Sequence, residues 1–199
     1  MIRPRALLVD LDNTLVDRDA AMAAWLGSLV RGADLPALLL ADAGGYGPKE
    51  AFFRAVGAAA GLSAARVRSA FFVDFPEHFV LRPDAAALLA GFDGPKVVVT
   101  NGWRRLQRAK LARVGLLDRV DHVLVSEEVG VEKPHPAIFH AALACAGCTA
   151  AEALMVGDHP VADIAGARGV GIPAVFVRSR WFAPPADVPA IDHLTELRW

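Results

Sequence analysis

Acids, a lysine and a threonine recur just after short apolar runs in this chain. Ala6–Val9 is followed by Asp10 and Asp12, in Asp-Leu-Asp-Asn-Thr. Lys96–Thr100 ends on Thr100 and leads into Asn101 and Gly102. His122–Val125 is followed, a little downstream, by Lys133, in Glu-Lys-Pro-His-Pro. Residues 154–156 are followed by Asp158 and, one helical turn on, by Asp163. If the runs are strands of one open sheet, these groups gather where ligands bind in such sheets, beyond the carboxyl ends of the strands.

That gathering has an electrostatic consequence. A like-charged pair of acids roughly 4 Å apart costs about 4 kcal/mol at an effective dielectric near 20, and Lys133 alone cannot offset up to four carboxylates. Either some acids are protonated or a divalent cation sits among them. An all-oxygen donor set without clustered Cys or His selects a hard ion, and Mg²⁺ is the expected one. A hard cation beside a lysine, a threonine hydroxyl and the backbone N–H groups at Asn101 and Gly102 makes an anion site, and phosphate suits it best.

The elements that must position these groups are legible from periodicity. The four runs, and a fifth at Ala174–Val177, are continuous rather than alternating, as in strands covered on both faces. Residues 104–114 carry Leu106, Ala109, Leu111 and Val114 on one side. Pro136–Ala146 opens on proline and repeats Ile138, Phe139, Ala142 and Leu143 at helical spacing. Strands alternating with helices predict a doubly wound parallel α/β sheet. Residues 17–82 differ. They are alanine-rich, helical in pattern over 20–30 and 50–60, and broken at Gly32, Gly44, Gly45, Gly47 and Pro48. The expected organisation is an α/β core of residues 1–16 and 83–199 with a small all-helical insert, residues 17–82, after the first strand. The Pro/Ala stretch 183–190 reads as a surface loop.

Four motifs, Val-Asp-Leu-Asp-Asn-Thr-Leu, Val-Thr-Asn-Gly, Glu-Lys-Pro-His-Pro-Ala-Ile-Phe and Val-Gly-Asp-His-Pro-Val-Ala-Asp-Ile-Ala-Gly-Ala, stand in this order along the chain. They resemble the ordered motifs of the haloacid dehalogenase-like hydrolases, and the insert resembles the helical cap of that family's phosphatase subgroup. The resemblance implies a Rossmann-like core and a Mg²⁺-dependent phosphate-monoester hydrolase. It implies Asp10 as the nucleophile that becomes an aspartyl-phosphate, and Asp12 as the acid, then the base. Thr100, Asn101 and Gly102 would hold phosphoryl oxygens, and Lys133 would neutralise charge and restrain Asp10. Mg²⁺ would be ligated by Asp10, by Asp158 and by the backbone carbonyl of Asp12. Asp163 would either reach the metal through water or orient Lys133. Asp12 is expected to hold a proton near neutral pH, kept there by neighbouring acids. Arg18 and Trp25, and also Tyr46, Lys49 and Phe53, are candidate cap contacts to substrate. A nucleotidase, a sugar-phosphate phosphatase and a phosphoglycolate phosphatase all fit this pattern. A phosphomutase, a metal-independent dehalogenase and a catalytically silent binding protein are the alternatives.

Composition bounds the rest. The chain has 199 residues, 54% hydrophobic and 22% charged, with net charge −1. That suits a folded core without disulfide or metal staples and argues against a nucleic-acid surface. No segment has the ~18 uninterrupted apolar residues of a membrane helix, so a cytoplasmic protein with a small-molecule phosphate ester as partner is expected, of undetermined oligomeric state. Cys145 and Cys148 lack a second ligand pair and read as inert. Arg104, Arg105, Arg108, Lys110 and Arg113 read as one solvated basic helix face. His159 has a pocket-lining or structural role, and His135, between two prolines, reads as exposed.

Overall fold

A computed structural model describes residues 3–30 and 32–198. In chain order the elements are β1 (Ala6–Val9), α1 (Arg18–Leu29), α2 (Leu35–Asp42), α3 (Lys49–Ala60), α4 (Ala64–Val73), α5 (Pro83–Gly91), β2 (Lys96–Thr100), α6 (Arg104–Arg113), β3 (His122–Val125), α7 (Ser126–Val129), α8 (Pro136–Ala146), β4 (Ala153–Gly157), α9 (Gly166–Gly169), β5 (Ala174–Val177) and β6 (Ala190–Ile191). Contacts divide the chain into one unit of Met1–Val16 with Leu81–Trp199 and a second of Asp17–Val80.

The first unit is an α/β fold around one sheet ordered β3-β2-β1-β4-β5-β6. Every strand pairing is parallel. The central strand β1 is flanked on both edges, and its four residues are no more than 1% exposed. That is why Ala-Leu-Leu-Val is apolar without alternation. Val9 stands level with Val98 of β2 and Val156 of β4, and Thr100 stands level with Val125 of β3. The strands therefore end nearly in step, and the polar residues that follow them emerge along one edge. One face of the sheet packs Leu8, Val97, Val99, Met155 and Phe176 against Ile138, Phe139 and Ala142 of α8, with Ile164 and Ala167 nearby.

The strand β6 falls where the sequence suggested only a surface loop. Its two residues pair in parallel with Phe176 and Val177 of β5. A run of two residues carries no periodicity, so only the tertiary pairing reveals it. Between β4 and α9 the chain forms a single π-helical turn, Pro160–Ala165, in place of a regular helix start. Such turns are uncommon and often accompany functional residues.

The regular elements of the second unit are all helices among its described residues. Asp17 caps α1 by accepting a hydrogen bond from the Ala20 N–H at 2.8 Å, and Ser63 caps α4 in the same way. Its core is aromatic. Trp25 lies 5.5 Å from Phe71 edge-on, and Phe71 stacks on Phe75 at 4.9 Å. Phe52 and Phe53 close the cluster. Gly61 ends α3 with a φ of 68°, a left-handed conformation that glycine adopts without a Cβ penalty.

Phe139 is fully buried in the sheet unit. Phe139→Ala should destabilise the protein by about 3–5 kcal/mol in urea unfolding; a loss below about 1 kcal/mol would contradict the packing described here.

Candidate active site

The sheet edge brings Asp10, Lys133, Asp158 and Asp163 into contact range. Asp10 follows β1, and its N–H donates to Val156 O at 2.9 Å, so the β1–β4 ladder continues into the site and fixes its backbone. Lys133 lies on the loop between α7 and α8, and Asn101 clamps its backbone. The Asn101 Nδ2 donates to Lys133 O at 2.9 Å, and the Lys133 N–H donates to Asn101 Oδ1 at 2.8 Å. The Lys133 ammonium then donates to Asp10 Oδ1 at 2.6 Å, Asp163 Oδ1 at 2.7 Å and Val99 O at 2.7 Å. Its three donors are thereby satisfied inside the protein.

Asp163 projects from the π-helical turn. Its second oxygen accepts from the His159 N–H at 3.0 Å. Of the two roles the sequence left open for Asp163, the orientation of Lys133 is the one these contacts display. Gly157, the last residue of β4, explains how Asp163 comes so close. A Cβ on residue 157 would collide with the Asp163 carboxylate, so the strand must end on glycine.

Carboxylate oxygens of Asp10, Asp158 and Asp163 all lie within 4.8 Å of one another, and all three residues are buried. Three acids face one ammonium. Burial, opposed by Lys133 and reinforced by Asp163 and Asp12, pushes Asp10 up to about 7. Burial, with Asp10 and Asp163 beside it, pushes Asp158 up to about 8. For Lys133, burial disfavours the ammonium, but Asp10 and Asp163 outweigh it and hold the proton more tightly than usual. These are the marks of a cluster short of positive charge. Its donors are all oxygen, which fits a hard divalent cation such as Mg²⁺ held by Asp10 and Asp158.

Asp12 occupies a different environment. The Lys110 Nζ on α6 donates to both of its oxygens, at 2.9 and 2.7 Å, and the Gln107 Nε2 donates to Oδ2 at 3.1 Å. The same Gln107 Nε2 lies 2.5 Å from Thr100 Oγ1. The Asp12 carboxyl thus has the Lys110 ammonium against it, while Asp10 also lies close enough to interact with it. Lys110 is correspondingly not part of a solvated face: it is 2% exposed. Helical spacing explains this, because Gln107 and Lys110 are three apart and share the inward side of α6 with Leu106 and Leu111. Arg104 and Arg108 point the other way and pair with Glu128.

The expected phosphate contacts divide. Thr100 is buried, with its hydroxyl against Gln107. The Asn101 side chain is taken up by the Lys133 backbone. The Gly102 N–H donates to Ser126 Oγ at 3.0 Å, so this amide is already engaged rather than free for an anion. Gln107, Lys110 and Ser126 were not singled out as site residues from the sequence. A lysine and a glutamine on the apolar side of a helix are the available signal for the first two.

The candidate cap residues lie in the helical unit. Trp25 is fully buried among Phe52, Phe71 and Phe75, and its indole Nε1 has no hydrogen-bond partner among the described residues. It is a core residue of that unit. Phe53 is also core, at 1% exposure. Arg18 forms a two-pronged ion pair with Asp42, at 2.5 and 3.0 Å, and Lys49 joins it at 3.3 Å. Burial opposes ionisation of Asp42, but the two cations hold its carboxyl below the usual range. Tyr46 is exposed. His159 caps the π-helical turn through Nδ1, which accepts from the N–H groups of Val161 and Ala162, and its ring lies 4.3 Å from that of Phe182. His135 is exposed and caps α8. Cys145 and Cys148 are free thiols.

A sequence model of the haloacid dehalogenase-like hydrolases matches residues 4–171. The chain belongs to this family. Among its relatives, the phosphoserine phosphatase of Thermus thermophilus is 40% identical over 134 residues, covering 65% of this chain and 54% of the relative. The phosphoglycolate phosphatase of Rhodospirillum rubrum is 30% identical over 199 residues, covering 86% of this chain and 78% of the relative. The chain spans about half the length of the first curated relatives it matches. Among solved structures, the HAD-hydrolase YfnB of Bacillus subtilis, bound to magnesium, aligns with a TM-score of 0.78 at 23% identity, covering 98% of this chain and 96% of that one. The L-2-haloacid dehalogenase of Xanthobacter autotrophicus aligns at 0.66 and 22% identity, covering 89% and 79%. At these identities the two structures show a shared fold.

The acid cluster predicts a pH dependence. Asp10 and Asp158 titrate higher folded than their ordinary value of 3.8. Their contribution to stability is therefore greatest at low pH and is lost as pH rises through about 7 and 8. In chelator, the thermal midpoint should fall between about pH 4 and 8, and added Mg²⁺ should raise it more at the upper end than at the lower. A Mg²⁺ shift independent of pH would contradict this electrostatic account.

Proposed function

We propose that this protein is a Mg²⁺-dependent phosphate-monoester hydrolase acting on a small phosphorylated metabolite through an aspartyl-phosphate on Asp10. The observation that carries the reading is the buried triad of Asp10, Asp158 and Asp163 around the Lys133 ammonium. The phosphatase names of its relatives support the same chemistry.

With Asp10 Oδ1 held by Lys133, Oδ2 is the oxygen to attack phosphorus. The bond between phosphorus and the ester oxygen breaks as the aspartyl-phosphate forms, and the leaving oxygen takes a proton from Asp12. In the second half of the cycle Asp12 accepts a proton from water as that water attacks phosphorus. Inorganic phosphate leaves and the Asp10 carboxylate is restored. Lys133 supplies fixed positive charge where the phosphoryl oxygens gather, in a site where donors are already oriented. Thr100 Oγ1 stands at the same edge as a donor to phosphate. The Mg²⁺, held by the carboxylates of Asp10 and Asp158 and the Asp12 carbonyl, would screen the repulsion between a carboxylate and a phosphate dianion.

Phosphate release from a panel of nucleotides, sugar phosphates and phosphoglycolate, with and without chelator, tests the proposal. Hydrolysis of at least one ester, abolished by chelator, is the expected result. Asp10→Asn should lower turnover by about a thousandfold or more. Asp12→Asn should slow turnover severely while phosphate binding stays measurable. An Asp10→Asn protein with near-normal Mg²⁺-dependent activity would overturn the assignment.

A further inference from the structure

We infer that Lys110, together with Gln107, is a positioning residue for Asp12: the two side chains form a cradle on α6 that fixes the direction of the Asp12 carboxylate. The inference rests on the reading of Asp12 as the acid and base of a phosphatase, and it adds residues that the four sequence motifs do not contain.

The geometry has three parts. Lys110 Nζ contacts both carboxylate oxygens, at 2.9 and 2.7 Å, so it fixes the plane of the group as well as its place. Gln107 Nε2 adds a donor to Oδ2 and also meets Thr100 Oγ1. Asp12 and the threonine at the end of β2 are thus tied to one amide group. Finally, Lys110 is almost fully buried while the Asp12 side chain is 22% exposed. The ammonium is the desolvated partner and the carboxylate faces outward from it.

Packing alone does not call for this pair. The inward side of α6 is otherwise Leu106 and Leu111, and a leucine or methionine at position 110 would bury there without the cost of desolvating an ammonium. Buried ion pairs of this kind are often no more stabilising than apolar residues of the same volume. What the pair does supply is orientation. A carboxylate on a strand exit has free rotation about two bonds; held at both oxygens, it loses that freedom before substrate arrives, which is where positioned catalytic groups gain rate. A protonated Asp12 keeps one acceptor oxygen for Lys110, so the cradle orients the group in both halves of the cycle.

The test exploits the leaving group. Proton donation matters for an alkyl ester, whose alkoxide is a poor leaving group, and little for p-nitrophenyl phosphate, whose phenolate departs unaided. The wild type, Lys110→Met, Gln107→Leu, Lys110→Arg and, as reference, Asp12→Asn are assayed on p-nitrophenyl phosphate and on one alkyl phosphate that the wild type hydrolyses. Lys110→Met should lose kcat on the alkyl ester at least about tenfold more than on the aryl ester, in the same sense as Asp12→Asn and with KM little changed. Lys110→Arg should restore part of that difference. Gln107→Leu should show the same selectivity more weakly, and it carries the test should Lys110→Met not fold. Equal losses on both esters, or unchanged or raised activity on the alkyl ester, would overturn the inference while leaving the phosphatase reading standing. A wild type that hydrolyses neither ester would overturn both.

Discussion

One buried ammonium sets the arrangement of this protein's sheet edge. Lys133 Nζ has its three donors committed to Asp10, Asp163 and the Val99 carbonyl. A lysine enters an apolar interior only when its charge and its protons are all answered, and here the answer comes from the residue after β1, from β2 and from the turn after β4. The consequences run outward. The Asn101 side chain must face the loop that carries Lys133, because it holds that loop's backbone at both N–H and C=O. The residue ending β4 must be glycine, because Asp163 fills the volume a side chain would need. The parallel register must place Asp10, Val99 and Gly157 at matching heights, since a slip of one residue would turn each side chain to the opposite face.

Charge at this edge is sorted rather than pooled. Asp12 has its own ammonium in Lys110, so the repulsion expected among four carboxylates reduces to three acids sharing Lys133. The shortage of positive charge is then confined to the space between Asp10, Asp158 and Asp163. That confinement, more than the number of acids, is what suits a single small cation: the surplus negative charge lies in one place, on oxygens within 4.8 Å of each other. It also separates the two acids that follow β1: Asp10 is committed to the charged cluster, and Asp12 to an independent support on α6.

Much of this was legible in the sequence, for physical reasons. Strands covered on both faces are written as unbroken apolar runs, so β1, β2, β3 and β5 could be placed to the residue. The polar residues after them could be assigned to one edge from the parallel arrangement alone. Lys133 and Asp163 could be named, although their mutual contact depends on a π-helical turn that no local pattern announces. The sequence misled where a residue's class stood in for its position. Lys110 looked like one more member of a basic run, yet the 3.6-residue period of α6 places it inward with Gln107 and leaves Arg104 and Arg108 for Glu128. Gly102 looked like an amide open to anions, and only the fold brings Ser126 from the far end of β3 to occupy it. Trp25 was a candidate ligand contact because it stands early in the insert that resembles a cap. In the fold it is the centre of an aromatic core.

The helical unit shows the same logic with a different outcome. Arg18, Asp42 and Lys49 form a buried set in which two cations face one acid. The balance for the acid is the reverse of that at the sheet edge: two cations hold the Asp42 carboxyl ionised. Such a set is self-sufficient for the acid, whose two oxygens are both engaged by Arg18, with Lys49 sharing Oδ1. Its effect is to tie the start of α1 to the end of α2 and the start of α3, three elements otherwise joined by short turns. The two units of the chain thus use buried ion pairs in opposite ways. In one, charge is balanced locally and the pair fastens helices. In the other, a deliberate deficit is left among oxygens, and chemistry follows from what that deficit attracts.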